Sequence, residues 1–211
     1  MGLIAMAHRT TYVLQSGTNA AGHMIGGFIQ GLMQRTPAIF NIYCACQPEH
    51  GIPDDAGKRQ AKLAMESRAY PFFKYNPVKG DMPNECLDLS GNPSPNQDWH
   101  TYTLKYTEDG EVKSMQLPLT FADFALTEGR FRKHFKRAPR DTWNENMVPV
   151  AEFVDMEIEA RQGKVPYIWT VDKKNQLSRV LVAKPVIDAC EDRRHFWRTL
   201  KALSSSGLKA D

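Results

Sequence analysis

Between Thr11 and Asn76 the chain alternates two hydrophobic periods. Thr11-Tyr-Val-Leu14 is a β-branched and aromatic run that stops at the turn-forming residues Gln15 to Asn19, which predicts a short strand. From Ala21 the apolar residues Ala21, Met24, Ile25, Phe28, Ile29, Leu32 and Met33 recur at spacings of three and four, one face of a helix expected to pack on a sheet. Ala38 to Cys46 is a near-continuous apolar run, the pattern of a central parallel strand covered on both faces. Gln47 to Asp54 reads as a loop, Gly57 to about Arg68 as a helix, and Pro71 to Asn76 as a third strand. This order predicts right-handed crossovers in a doubly wound, parallel α/β sheet. Ligands in such sheets sit beyond the carboxyl ends of the strands, where residues 44–54 fall. Gly22, Gly26, Gly27 and Gly31 each weaken the first helix by up to about 1 kcal/mol, so close helix-to-sheet packing is expected there, with approach of a cofactor as the alternative.

After Asn76 the pattern changes. Residues 77–99 carry four prolines and two glycines, an irregular excursion that must pack over something. Thr101 to Tyr106 and Val112 to Leu117 flank Glu108-Asp-Gly110 and read as a hairpin. Thr120 to Phe135 has helical spacing, and Pro149 suits the first position of a helix running from Val150 to Gln162, with Gly163 as its stop. Tyr167 to Val171 and Leu177 to Val182 read as strands, followed by a helix from about Val186 to Leu203. A boundary is expected near Trp143, giving a unit over 1–142 and a small α+β extension over 143–211.

Composition narrows the class. The 211 residues are 42% hydrophobic and 24% charged, with a net charge of +3, an ordinary globular balance that excludes collagen, coiled coil and wholesale disorder. No apolar run approaches the roughly 20 residues of a membrane crossing. The first nine residues lack the basic start and long apolar stretch of a secretory signal, so a cytoplasmic location and no membrane partner are expected. A charge of +3 does not by itself indicate nucleic acid, which is not expected as a partner. Cys44, Cys46, Cys86 and Cys190 are then thiols or metal ligands rather than disulfides.

Two segments carry candidate chemistry. In Cys44-Ala-Cys46 the two thiols point the same way if the strand persists to Cys46, and His50 could extend a site; burial as small apolar residues is the plain alternative. Thiolates select soft metals and iron–sulfur clusters, but a cluster needs about four ligands and the chain has no C-x-x-C. The second segment, Arg130 to Arg140, interleaves Arg130, Arg132, Lys133, Lys136 and Arg137 with Phe131 and Phe135. It is expected to be a helix side with two core anchors, and its cations could dock an acidic redox partner. There is no G-x-G-x-x-G, P-loop, G-x-S-x-G or H-E-x-x-H.

Gly2-Leu-Ile-Ala-Met6, Thr11-Tyr-Val13, Ile42-Tyr-Cys-Ala-Cys46 and Lys62-Leu-Ala-Met-Glu-Ser-Arg-Ala-Tyr-Pro-Phe-Phe-Lys-Tyr-Asn-Pro77 together resemble the later part of the thiamine-diphosphate-binding domain of pyruvate:ferredoxin oxidoreductases. Order and spacing agree over about the first 77 residues, Phe121 to Phe131 is similar to a short helix that follows in that family, and nothing specific is recognised from Trp143 onward. The resemblance implies a portion of a 2-oxoacid:ferredoxin oxidoreductase, which decarboxylates pyruvate or a related 2-oxoacid oxidatively and passes electrons through iron–sulfur clusters to ferredoxin. It implies that Cys46 is one ligand of a 4Fe–4S cluster, with Cys44 the weaker candidate. The family's other three cluster ligands, and the Gly-Asp-Gly motif whose aspartate holds magnesium on the diphosphate, lie earlier than the matched residues. The chain is therefore expected to be a fragment or one piece of a split enzyme, inactive alone and binding neither thiamine diphosphate, magnesium nor a full cluster by itself. Its implied partners are the remaining domains or subunits, ferredoxin, and further copies in a homo-oligomer. A non-catalytic scaffold or interaction module derived from the same domain is the alternative.

Overall fold

The computed structural model describes residues 1–205. The elements are α1 (Gly2–Ala7), β1 (Tyr12–Gly17), α2 (Ala21–Met33), β2 (Ala38–Tyr43), α3 (Gln47–His50), α4 (Gly57–Glu66), β3 (Phe73–Tyr75), α5 (Pro83–Cys86) and β4 (Leu87–Asp88). They continue with β5 (His100–Glu108), β6 (Glu111–Leu119), α6 (Phe121–Leu126), β7 (Phe135–Ala138), β8 (Met147–Pro149), α7 (Val150–Phe153), β9 (Val165–Val171), β10 (Leu177–Val182) and α8 (Lys184–Ser205). Among the described residues, no helix is long and apolar enough to cross a membrane.

The α/β class expected from the patterning is observed, the described residues forming two four-stranded sheets and one two-stranded ribbon. The first sheet has the order β2-β1-β3-β4. β1 and β2 are parallel, Tyr12 opposite Ala38 through Gly17 opposite Tyr43, with α2 as the crossover. β3 departs from the expected parallel winding. It pairs antiparallel with β1, Phe73 opposite Gln15, so it enters at the carboxyl end of β1. The segment after β2 turns back at that end, with Arg68 at φ +60° just after α4, and never recrosses the sheet. A three-residue strand carries no direction in its alternation, which is why its sequence misleads.

Alternation along β1 assigns the two faces. Val13 joins Ala5, Met6, Phe73, Tyr75, Leu87, Trp197 and Leu200 in one core, so α1 and the end of α8 cover that side. Tyr12 and Leu14 face α2 on the other side, where a Cβ on Gly27 would lie 2.4 Å from Leu14 Cδ1 and one on Gly31 2.7 Å from Tyr12 Cδ1. The side of α2 that carries Gly27 and Gly31 therefore packs on the sheet, whereas Gly22 and Gly26 meet nothing within 4 Å, and much of the apolar face expected to pack is turned outward: Ile25, Ile29, Leu32 and Met33 are between 53% and 80% exposed. Close backbone approach outcompetes burial of the larger side chains because Leu14, Tyr12 and Phe40 already fill the interface.

The second sheet has the order β7-β10-β9-β8. Its core joins Trp99, Ala122 and Ala125 with Val150, Ile168, Val180, Val186 and Cys190. The division expected near Trp143 does not separate two cores, because β7 before it pairs with β10 after it. α8 ties the two sheets: Val186, Ile187 and Cys190 belong to one core, Trp197 and Leu200 to the other. The expected helix over 120–135 breaks into α6, a 3₁₀ segment at Gly129–His134 and β7. The one expected over 150–162 reduces to α7 and a 3₁₀ turn at Glu159–Arg161. The expected hairpin forms as β5–β6, with Glu108 opposite Glu111 and Gly110 at φ +80°.

The irregular excursion packs through Arg68. This fully buried guanidinium donates Nη2 hydrogen bonds to the carbonyls of Pro93 (2.8 Å) and Ser94 (2.9 Å) and lies 4.0 Å over the ring of Trp197. Burial lowers its pKa to about 10, with Asp98 and Glu66 opposing that shift.

Candidate functional site

The parallel pair β1 and β2 ends at Gly17 and Tyr43, and the chain beyond Tyr43 forms a lip over that end. β2 stops at Tyr43, earlier than the apolar run implied, so Cys44 and Cys46 lie in the following loop rather than in register on a strand. Both thiols are exposed, while Ala45 between them is buried against Tyr43, Ile52 and Ala56. Cys46 is the N-cap residue of α3, and its carbonyl accepts from the His50 amide at 2.9 Å. Gly51 at φ +63° ends this turn, and its Cα face abuts Gly129, where a Cβ would sit 2.9 Å from Gly129 Cα.

One buried carboxylate organises the lip. Glu128, 1% exposed, accepts at Oε1 from His50 Nδ1 at 2.9 Å, Gln60 Nε2 at 3.0 Å and Tyr43 Oη at 3.4 Å. Its Oε2 takes Arg130 Nε at 2.5 Å. A buried carboxylate with this many donors is compensated, whereas one stripped of them would be strongly unfavourable. Thus β2, α3, α4 and the 3₁₀ segment all converge on one side chain. Burial and then the Glu128 charge hold the Tyr43 hydroxyl well above the ordinary range for a phenol, so it stays protonated as a donor. Tyr43 also stacks obliquely on Tyr70, ring centres 5.3 Å apart.

The expected residues are thus partly assembled. His50 does stand beside the two thiols' loop, but its Nδ1 is committed to Glu128. Cys86 is buried, with its thiol directed to the Gly80 carbonyl at 3.2 Å. Cys190 is buried in the second core, and burial pushes its thiol up to about 12. Among the described residues no group of three or more His, Cys, Asp or Glu side chains could hold a metal ion. A complete four-thiolate cluster therefore does not fit this chain's own described residues; its loop offers two exposed thiols. Of the basic segment, Arg130 is used internally, on Glu128 and 4.8 Å over Phe131. Arg132, Lys133, Lys136 and Arg137 are exposed, and Phe131 and Phe135 pack on the second core from a 3₁₀ segment and a strand instead of from one helix face.

Glu128, Gln60 and Tyr43 are absent from the sequence-derived site. The signal for Glu128 was its place among the apolar positions of the Phe121–Phe135 pattern, where a carboxylate has no reason to sit unless it is paired.

An α/β sheet with a polar, thiol-bearing lip at the carboxyl ends of its parallel strands is the kind of framework that holds ligands. The chain is similar to pyruvate synthase subunit PorB of Pyrococcus horikoshii, at 23% identity over 137 residues, which are 65% of this chain. The match spans 38% of that protein's length. No protein-family model matches the chain.

Proposed function

We propose that the chain is a portion of a 2-oxoacid:ferredoxin oxidoreductase, corresponding to the later part of its thiamine-diphosphate-binding domain and active only together with further domains or subunits. The observation that carries this reading is the likeness to a pyruvate synthase subunit. The motifs Ile42 to Cys46 and Lys62 to Pro77, which resemble the same family, add to it. Cys46, exposed at the carboxyl end of β2, is the proposed cluster ligand, with Cys44 as the lesser candidate. The other ligands, the magnesium site and most of the thiamine pocket would come from the partners.

Two surfaces support a partner-dependent unit. β2 is an edge of its sheet, yet it has the apolar composition of a central strand and none of the prolines or charges that shield edges. Beside it, α2 turns Ile25, Ile29, Leu32 and Met33 outward, a contiguous apolar face of the kind that marks an interface. Arg132, Lys133, Lys136 and Arg137 form the proposed docking patch for an acidic carrier such as ferredoxin, its attraction falling as salt rises.

A non-catalytic scaffold or interaction module derived from the same domain is the alternative reading. Iron and thiamine analysis of the protein purified anaerobically with its natural partners separates the two. Stoichiometric thiamine diphosphate and iron, with 2-oxoacid-dependent reduction of ferredoxin, is the expected result. A partner complex devoid of both supports the scaffold and overturns the enzyme reading.

A further inference from the structure

Beside the Gly51 turn, the 3₁₀ segment and β7 line an open cleft of ≈ 440 Å³. Its volume lies within the range of small-molecule sites. The floor is apolar: Leu126, Phe135 and Val180, the last being 6% exposed. The back wall is backbone at Gly51 and Gly129, where a Cβ on Gly129 would lie 3.1 Å from the Gly51 carbonyl oxygen, so the wall holds only because both residues lack side chains. Arg132 and Arg137 reach the cleft from two different elements, and Arg137 stands opposite Val180 in the β7–β10 register.

These two guanidinium groups are distinguished by what they do not touch. Arg130, two residues earlier, is taken up by Glu128 and by Phe131. Neither Arg132 nor Arg137 has an ion pair or a side-chain hydrogen bond among the described residues, and the one acid whose charge acts on Arg137 there, Asp172, is not part of the cleft lining. Among the described residues the one acid lining the cleft is Glu128, whose side chain is fully buried and paired with Arg130, so it presents no free charge to an incoming anion. Guanidinium groups favour phosphate and carboxylate through paired N–H donors, and an apolar floor beneath them adds an organic body to the recognised shape.

We propose that this cleft binds a small organic anion, its phosphate or carboxylate head on Arg132 and Arg137 and its apolar body against Leu126, Phe135 and Val180. The cleft adjoins the thiol-bearing lip and shares Gly51 and Glu128 with it, so a ligand there would brace the turn that carries the thiols.

Calorimetric titration of the full chain with 1-naphthyl phosphate, and separately with 1-naphthoate, tests the proposal. Saturable binding of either is expected, weakening at least tenfold in the double variant Arg132→Gln/Arg137→Gln and unchanged in Lys133→Gln/Lys136→Gln. Tighter binding of the phosphate assigns a phosphorylated ligand, and tighter binding of the carboxylate assigns a carboxylic acid. All four substituted residues are exposed, so unchanged unfolding midpoints are expected. Absence of binding by both probes, or binding that survives the arginine substitutions, overturns the proposal.

Discussion

Nδ1 of His50 lies 2.9 Å from Oε1 of Glu128, 78 residues away in sequence, and this pair holds the thiol-bearing turn against the rest of the fold. Gln60 and Arg130 meet the same carboxylate, so four segments share one buried acceptor. Replacing Glu128 with Ala leaves the buried Gln60 amide and the half-buried His50 without their acceptor. A loss of about 3 kcal/mol in stability is expected, read from urea unfolding. Glu128→Gln keeps one acceptor oxygen and should lose roughly half as much. An unchanged midpoint in Glu128→Ala would show that the network contributes nothing to the fold.

Adjacent glycines in α2 should respond oppositely. A Cβ on Gly26 meets nothing within 4 Å, whereas one on Gly27 would collide with Leu14 at 2.4 Å. Gly26→Ala should stabilise by about 0.5–1 kcal/mol through helix propensity. Gly27→Ala should destabilise by about 1–3 kcal/mol through overpacking. Thermal unfolding of the two variants decides it, and equal shifts would contradict the packing of Gly27 against Leu14 of β1.

Asp123 supplies a pH dependence. Its carboxylate takes the Thr120 amide at 2.8 Å and hydroxyl at 2.7 Å, and the Tyr102 hydroxyl at 3.4 Å. Burial nevertheless outweighs these hydrogen bonds and raises its pKa from 3.8 to about 6. Between those two values the folded chain holds a proton that the unfolded chain has released. The Asp123 contribution to stability is therefore full below the unfolded value and declines as pH rises through about 6. Comparison of unfolding midpoints at several pH values between 4 and 7 should show this decline in the wild type relative to Asp123→Asn. Parallel pH profiles for the two proteins would refute the assignment. Asp98 behaves oppositely: burial pulls it up, but hydrogen bonds from Arg198 and Lys201 hold it below the ordinary range, so its contribution fades only at lower pH.

Much of the framework was legible because it rests on long periodic stretches. β1, α2, β2 and α4 follow their hydrophobic periods, and the β5–β6 turn follows Asp109-Gly110. The direction of β3 and the facing of α2 depend instead on which surfaces meet in space, and the larger apolar side chains of α2 pointed the wrong way. The 3₁₀ segment and β7 were hidden because Phe131 and Phe135 satisfy a helical spacing by coincidence. Of the site, the Cys44–Cys46 lip and His50 could be read from strand position, but the Glu128 hub links residues 43 to 130, and no local pattern reports such a contact.

The proposed cluster contribution of this chain rests on one sulfur, that of Cys46. In the complex purified anaerobically with its natural partners, Cys46→Ala should remove the iron content and paramagnetic signal of one 4Fe–4S cluster, while Cys44→Ala leaves both in place. Unchanged iron and an unchanged signal in Cys46→Ala would contradict the assignment of this chain as a contributor to an oxidoreductase cluster.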